Sequence, residues 1–427
     1  MYFLSLSILL ASLISPSLQA SLQDTLASHP NLTSFAEQLG KLPGILDRLE
    51  SSDTPLTILA PDNAAMAKTI YYPVLGPAFQ SADPEETRFI MQYHVLPGQH
   101  TSDMMNSTFQ YYSTWLDNST YANVTGGQKV GGVIQAGAIP QMVWTSGFSS
   151  RSIVREADIE FDGGVLHIID SLVIPPTSFP DTASRFSLAV ELYGLNSFVG
   201  AMYATPNTTL ASLLNTTTDV TIFAPNNVAM ESVTPTITDL SNATLQDLLA
   251  YHVVLSQSSS GSLFSTSFVN DTKITTLQGD SLTLTFSSNS WFVNSARIIN
   301  QDLLLSNGVM HVLDNVLSPN ATNAQPVPAS ATQAPVLQTT LAAEFNSSMA
   351  PFTTNLPNAV VTTEQGTDGY VGSVTVSGTG GGAIQTSRPS SSSGSGGSSS
   401  GAVNARVGEI VMIWVGVVVF GLALLMA

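Results

Sequence analysis

The sequence predicts two tandem copies of one domain that mixes strands with helices, followed by an unfolded stalk rich in Ser, Thr, Gly and Pro. Three observations predict it. An internal duplication runs through residues 21–319. Each copy alternates short β-prone runs with capped helical stretches. After Pro319 the composition becomes one that buries too little apolar surface to offset chain entropy.

The duplication comprises three blocks in the same order, the signature of a repeated domain. Thr57-Ile-Leu-Ala-Pro-Asp-Asn-Ala-Ala-Met66 recurs as Thr221-Ile-Phe-Ala-Pro-Asn-Asn-Val-Ala-Met230. Tyr93-His94-Val95 recurs as Tyr251-His252-Val253, and Gly164-Val-Leu-His-Ile-Ile-Asp170 as Gly308-Val-Met-His-Val-Leu-Asp314. The copies occupy 21–176 and 181–319. The second and third blocks stand further apart in the first copy, which therefore carries extra loop around Tyr111 to Gly137.

Each block has a physical reading. Thr57–Ala60 is a short strand that stops at Pro61, which has no N–H to donate. Asp62 and Asn63 then offer caps for a helix from Ala64. Asp83-Pro84-Glu85-Glu86 places a cap, a first-turn proline and acid at a second helix start. That helix runs into Tyr93-His94. In the second copy Ser241 is the cap, and Leu245, Leu248 and Leu249 form the apolar stripe. Asp162-Gly163-Gly164 and Ser306-Asn307-Gly308 are hairpin turns. The unbroken apolarity that follows them predicts strands covered on both faces.

Taken together, Thr-Ile-x-Ala-Pro-x-Asn-x-Ala-Met, then Tyr-His, then Gly-Val-x-His-x-x-Asp-x-x-x-x-Pro resemble the fasciclin domain family, twice and in order, over most of residues 21–319. The resemblance implies an α+β fold in which each domain is a β-wedge of two sheets with packed helices. It also implies cell–cell or cell–matrix adhesion. By resemblance, candidate adhesion contacts are Tyr93, His94, Asp158 and Ile159 in the first copy. In the second they are Tyr251, His252, Asp302 and Leu303, with Leu in place of Ile.

The two ends read as addresses. Residues 1–20 hold an apolar run, Phe3 to Ile14, then Pro16 and small or polar residues to Ala20, as in a secretory signal peptide. An N-terminal membrane anchor is the competing reading. Residues 320–402 form the expected glycosylated stalk. Ile410–Ala427 is an apolar tail behind a polar spacer and small residues, the pattern of a glycosylphosphatidylinositol signal spanning 403–427. Ser399 or Ser400 is the expected attachment residue, and a single-pass helix is the alternative. N-glycosylation sequons occur at Asn31, Asn106, Asn118, Asn123, Asn207, Asn215, Asn242, Asn270, Asn320 and Asn346. The expected location is the outer face of the plasma membrane, extending to the cell wall.

Composition sets the remaining bounds. Twelve basic residues against 30 acidic ones give a net charge of −18, which lacks the cationic footprint nucleic acid requires. Charged residues are only 10% of the chain, so Ser, Thr and Asn must solvate much of its surface. The absence of cysteine excludes thiol catalysis and thiolate-bound metals. His94, His167, His252 and His311 are expected as interior hydrogen-bonding groups, because folding determinants recur in each copy whereas a catalytic site need not. No hydrolase elbow, phosphate loop or dinucleotide fingerprint lies in the domains. The expectation is a non-enzymatic adhesion protein with no cofactor and no metal. Its partner would be a cell-surface, matrix or wall protein or glycan, or another copy of itself. Alternatives are a structural wall coat and, further off, a sugar-binding module using Trp115, Trp144 or Trp291.

Overall fold

The computed structural model describes residues 19–72, 75–81, 84–186, 194–204, 209–256, 261–337, 350–356, 361–365 and 371–376. All of the expected signal peptide 1–20 except residues 19 and 20, the Ser399 or Ser400 attachment, the 403–427 signal, Asn207 and Asn346 lie outside them. So does Asp83.

Domain 1 contains β1 (Leu56–Pro61), β2 (Val95–Pro97), β3 (Gln110–Ser113), β4 (Lys129–Gln135), β5 (Gln141–Thr145), β6 (Arg151–Phe161) and β7 (Gly164–Ile169). Domain 2 contains β8 (Val220–Pro225), β9 (Val253–Leu255), β10 (Thr272–Thr275), β11 (Ser281–Ser287), β12 (Ser290–Val293), β13 (Ala296–Leu305) and β14 (Gly308–Leu313). The strand orders are β2-β1-β7-β6-β5-β4-β3 and β9-β8-β14-β13-β12-β11-β10, one topology used twice. β1 runs parallel to β7, as β8 does to β14, and the other pairings are antiparallel. A third pair, β15 (Val361–Gln365) with β16 (Val371–Val376), follows.

The repeated blocks explain this arrangement. β1 and β8 are buried along their whole length, and so is β14. The proline then ends the ladder. Asp62 caps the helix Asn63–Ala67 through Ala65 N–H at 2.7 Å, and Asn226 caps Asn227–Ser232 through Ala229 N–H at 2.8 Å. The following asparagine ties this corner to an earlier helix. Asn63 Oδ1 accepts from Ser34 N–H (2.9 Å), and Asn227 Oδ1 from Ser197 N–H (3.0 Å). The helix Glu85–Tyr93 follows Pro84, and Ser241 caps Asn242–Ala250.

The hairpin glycines are required by close approach. A Cβ on Gly164 would stand 2.0 Å from Leu56 O, and one on Gly308 would stand 2.0 Å from Val220 O. Only glycine lets the parallel strands pair there. Bulges then bend the long strands. Register shifts fall between Val154, Glu156 and Ile159 on β6, and between Ile298, Asn300 and Leu303 on β13. Each bend turns the sheet into a wedge. The wedge encloses apolar side chains, including Tyr93, Trp144 and Phe161 in domain 1 and Tyr251, Phe223 and Phe292 in domain 2.

Two differences from the sequence reading matter for function. The extra loop of domain 1 is residues 114–128, joining β3 to β4, where domain 2 uses only 276–280 between β10 and β11. The folded part also continues past Pro319, into what composition assigns to the stalk. Arg297 Nη2 donates to Ser330 O (2.6 Å), and Asn315 Nδ2 donates to Ala334 O (2.7 Å). Leu337, Phe352 and Leu356 pack on the core of domain 2. The backbone of Phe352 lies so close to the helix Asn196–Ala204 that a Cβ on Gly200 would meet its carbonyl oxygen at 2.0 Å. The strap forms because a few apolar anchors and backbone hydrogen bonds to an existing domain suffice, a need that average composition does not register.

Candidate functional site

The Tyr-His element closes the helix before β2 or β9, and the helix geometry sets its contacts. His94 Nδ1 bonds Ile90 O one turn back (2.8 Å), while Nε2 accepts from Val173 N–H (3.2 Å). His252 repeats this with Leu248 O (2.8 Å) and Leu317 N–H (3.0 Å). Each ring therefore carries its proton on Nδ1 and joins the helix end to the chain leaving the sheet. Burial holds both pKa values down, from 6.5 to about 4, against the backbone bond that raises them. Tyr93 and Tyr251 are wholly buried, and their hydroxyls donate to Lys129 O (2.7 Å) and Ser281 O (3.0 Å). Tyr93, His94, Tyr251 and His252 are thus interior in this fold and present no surface to a partner. In this fold all four act as packing and hydrogen-bonding groups of the interior.

The Asp-Ile and Asp-Leu positions lie at the strand bends. Asp158 and Asp302 adopt positive φ, 61° and 58°, a conformation that Asp tolerates better than most residues. The turned backbone aims Asp158 N–H at His167 Nδ1 (3.1 Å) and Asp302 N–H at His311 Nδ1 (3.3 Å). Nε2 of each ring bonds a backbone carbonyl, His100 O or Leu263 O, both at 2.9 Å. The carboxylates bind Ser102 and Ser265 through backbone N–H and hydroxyl together. Ser, His and Asp thus meet twice, but in neither cluster is the serine hydroxyl bonded to the histidine, since it binds the Asp carboxylate instead. Both ring nitrogens are engaged by backbone, so these clusters pin a bulge and lack a base aimed at a nucleophile. Among the described residues no group of three or more His, Asp or Glu side chains is gathered as a metal would require.

The copies differ in what covers this bend. The Asp302 side chain is 4% exposed and Leu303 is buried, whereas the Asp158 side chain is 35% exposed and Ile159 is half-buried. Tyr111, from domain 1, makes the difference. Its ring lies 4.4 Å from that of Phe264, and its hydroxyl sits beside Asp302. Desolvation foremost, then the Asp302 carboxylate, pushes the Tyr111 pKa well up.

Tyr111 belongs to a junction between the domains that sequence reasoning did not anticipate. Gln128 Nε2 donates to Leu305 O (3.1 Å), Thr125 N–H to Asp219 Oδ1 (2.8 Å) and Asn123 N–H to Ser306 O (2.7 Å). A cavity of about 100 Å³ at this junction is lined by Thr125, Gln128, Lys129, Asp219, Ser262 and Phe264 among others. It has room for about three water molecules. Burial pushes the Lys129 ammonium down, and Asp219 opposes the shift. The one sequence signal for this junction was the unequal length of the connection 114–128.

Outward surfaces are mostly uncharged. Sequon residues Asn31, Asn106, Asn118, Asn215, Asn242, Asn270 and Asn320 are exposed, while Asn123 is half-buried at the junction. Trp144 is wholly buried, and Trp115 is half-buried beneath the Arg48 guanidinium at 4.5 Å. Trp291 packs against Phe268 and Phe286, with Phe286 45% exposed. Among the described residues no helix is long and apolar enough to cross a membrane.

Comparison with known proteins adds the following. The family model described as Fasciclin domain matches residues 30–175 and 194–319. A fasciclin-like arabinogalactan protein of Arthroderma benhamiae is 27% identical over 308 residues, 72% of this chain and 69% of that protein. One from Cercospora beticola is 28% identical over 313 residues, 72% of this chain and 78% of that protein. A solved FAS1 domain pair from the insect cell adhesion molecule Fasciclin I aligns over 68% of this chain and 97% of that chain. Its identity is 18% and its TM-score 0.33.

Proposed function

The chain belongs to the fasciclin domain family, and from that premise we propose that it is a cell-surface glycoprotein whose paired domains mediate cell–cell or cell–wall contact. One observation carries the reading. Both copies turn their Tyr-His side chains and the rings of His167 and His311 inward onto backbone partners, so what remains for a partner is the outer surface, the half-exposed Asp158 included. That surface is low in charge and bears exposed sequons, which fits a glycosylated coat facing a matrix. If the Asp-Ile pair takes part, domain 1 supplies it, because Tyr111 covers the counterpart in domain 2.

The reading includes the address: a signal peptide at 1–20, a stalk, and a lipid anchor attached at Ser399 or Ser400. The relatives' name joins fasciclin-like domains to an arabinogalactan component, which fits a glycan-bearing Ser/Thr/Pro stalk. The partner would be a surface or wall protein or glycan, or a second copy of the chain. Weak single contacts would be multiplied by display on a membrane.

The test is a bead assay with residues 21–356 made in a glycosylating host. Coated beads are mixed with one another and with cells of the source organism. Specific clustering or cell binding is expected. Beads that bind neither would leave the structural-coat reading in place of adhesion.

A further inference from the structure

One sequon is built into the contact between the domains. Asn123 lies in the connection 114–128, the stretch that domain 1 has in excess of domain 2. Its Nδ2 donates to Thr216 O (3.0 Å), and its Oδ1 accepts from Thr218 Oγ1 (2.7 Å). Thr125, which completes the sequon, binds the Asp219 carboxylate through backbone N–H and hydroxyl. Asp219 itself is buried and holds a positive φ of 60°. The amide and the hydroxyl that define Asn123-Val124-Thr125 as an acceptor are therefore both engaged by domain 2.

We propose that a glycan on Asn123 and the docked arrangement of the two domains exclude one another, so that occupancy of this sequon sets whether the pair is closed. Transfer from a diphosphate-linked oligosaccharide donor breaks the sugar C1–O bond and forms a C1–Nδ2 bond. One Nδ2 proton is released with the diphosphate leaving group. The product is a secondary amide, which holds its substituent trans to Cβ and hence on the Oδ1 side. That side of Asn123 faces the chain between Thr216 and Thr218. A sugar there displaces the turn of domain 2 and with it the clamp of Asp219 on Thr125. In molecules left bare at Asn123 the same side chain becomes a strut between domains.

Asn118 is the internal control. It lies in the same connection, is exposed, and has its side-chain oxygen turned back to Thr120 N–H (2.9 Å) rather than to domain 2. A glycan on Asn118 leaves the junction untouched.

The test uses the full chain secreted from a glycosylating host. Mass spectrometry reads occupancy at Asn118 and Asn123. Hydrogen exchange of the peptide spanning 121–129 is then followed separately for bare and glycan-bearing Asn123, which differ in mass. Filled Asn118 beside bare Asn123 is one expected result. The other is that molecules filled at Asn123 lose the protection of the Asn123 and Thr125 amides and exchange as a free peptide does. Molecules that carry a glycan on Asn123 and keep those amides as protected as in the bare form would overturn the proposal.

Discussion

His94 and His252 make each domain sensitive to acid in a direction fixed by their burial. The folded-state pKa of each is about 4 and the unfolded value 6.5, so the unfolded chain binds protons first as pH falls. Stability is therefore full above pH 6.5 and declines from there to about 4, by about 3 kcal/mol for each domain. His167 and His311 are lowered as well and add to the effect, while Asp314, raised by burial, works against it. Urea midpoints at pH 7.5 and pH 4.5 measure this, and equal midpoints would contradict the buried neutral rings. The recurrence of Tyr-His in both copies made a folding role legible from sequence. What sequence did not reveal was the bulge geometry of Asp158 and Asp302. Their positive φ has no signature beyond Asp recurring at one place in the repeat, and the carboxylate partners Ser102 and Ser265 lie far away in the chain.

At the scale of elements, the parallel pairing of β1 with β7 and of β8 with β14 holds each wedge together. Turn residues and unbroken apolarity identified these strands and their burial. Their pairing was not legible, because period and propensity act over a few residues while Leu56 meets Gly164 across most of a domain. Gly308→Ala tests the pairing directly. Its Cβ would sit 2.0 Å from Val220 O, so β8 and β14 must separate, at a cost of about 3 kcal/mol or more. Gly164→Ala should do the same to domain 1. Gly40→Ala is the control, since nothing lies within 4 Å of its added methyl, and a change under about 1 kcal/mol is expected. Thermal unfolding of the three variants separates these cases, and a Gly308 variant as stable as the Gly40 variant would refute the pairing.

At the scale of the molecule, two of the features that bind the parts are the 114–128 connection on the Asp219 side of domain 2 and the strap that returns to the helix Asn196–Ala204. The loop-length difference between repeats hinted at the first. Nothing hinted at the second, because Leu337, Phe352 and Leu356 are scattered through a stretch whose mean composition is that of a linker. A chain ending at Pro319 should leave the groove beside Gly200 bare. It should lower the stability of domain 2 by about 2–4 kcal/mol relative to one ending at residue 356, with domain 1 unchanged. Calorimetry of the two chains would show it, and coincident transitions would mean the strap contributes nothing.

The seat of Phe352 also fixes the order in which the molecule yields to tension. A pull entering from the C-terminal side reaches the strap before it reaches β14, because the chain runs through that seat on its way back to the sheet. Once residues 320–337 and 350–356 let go, the chain from 320 to 356 can lengthen to ~120 Å at full extension. The molecule thus carries a length of slack that a tug consumes before either wedge is loaded.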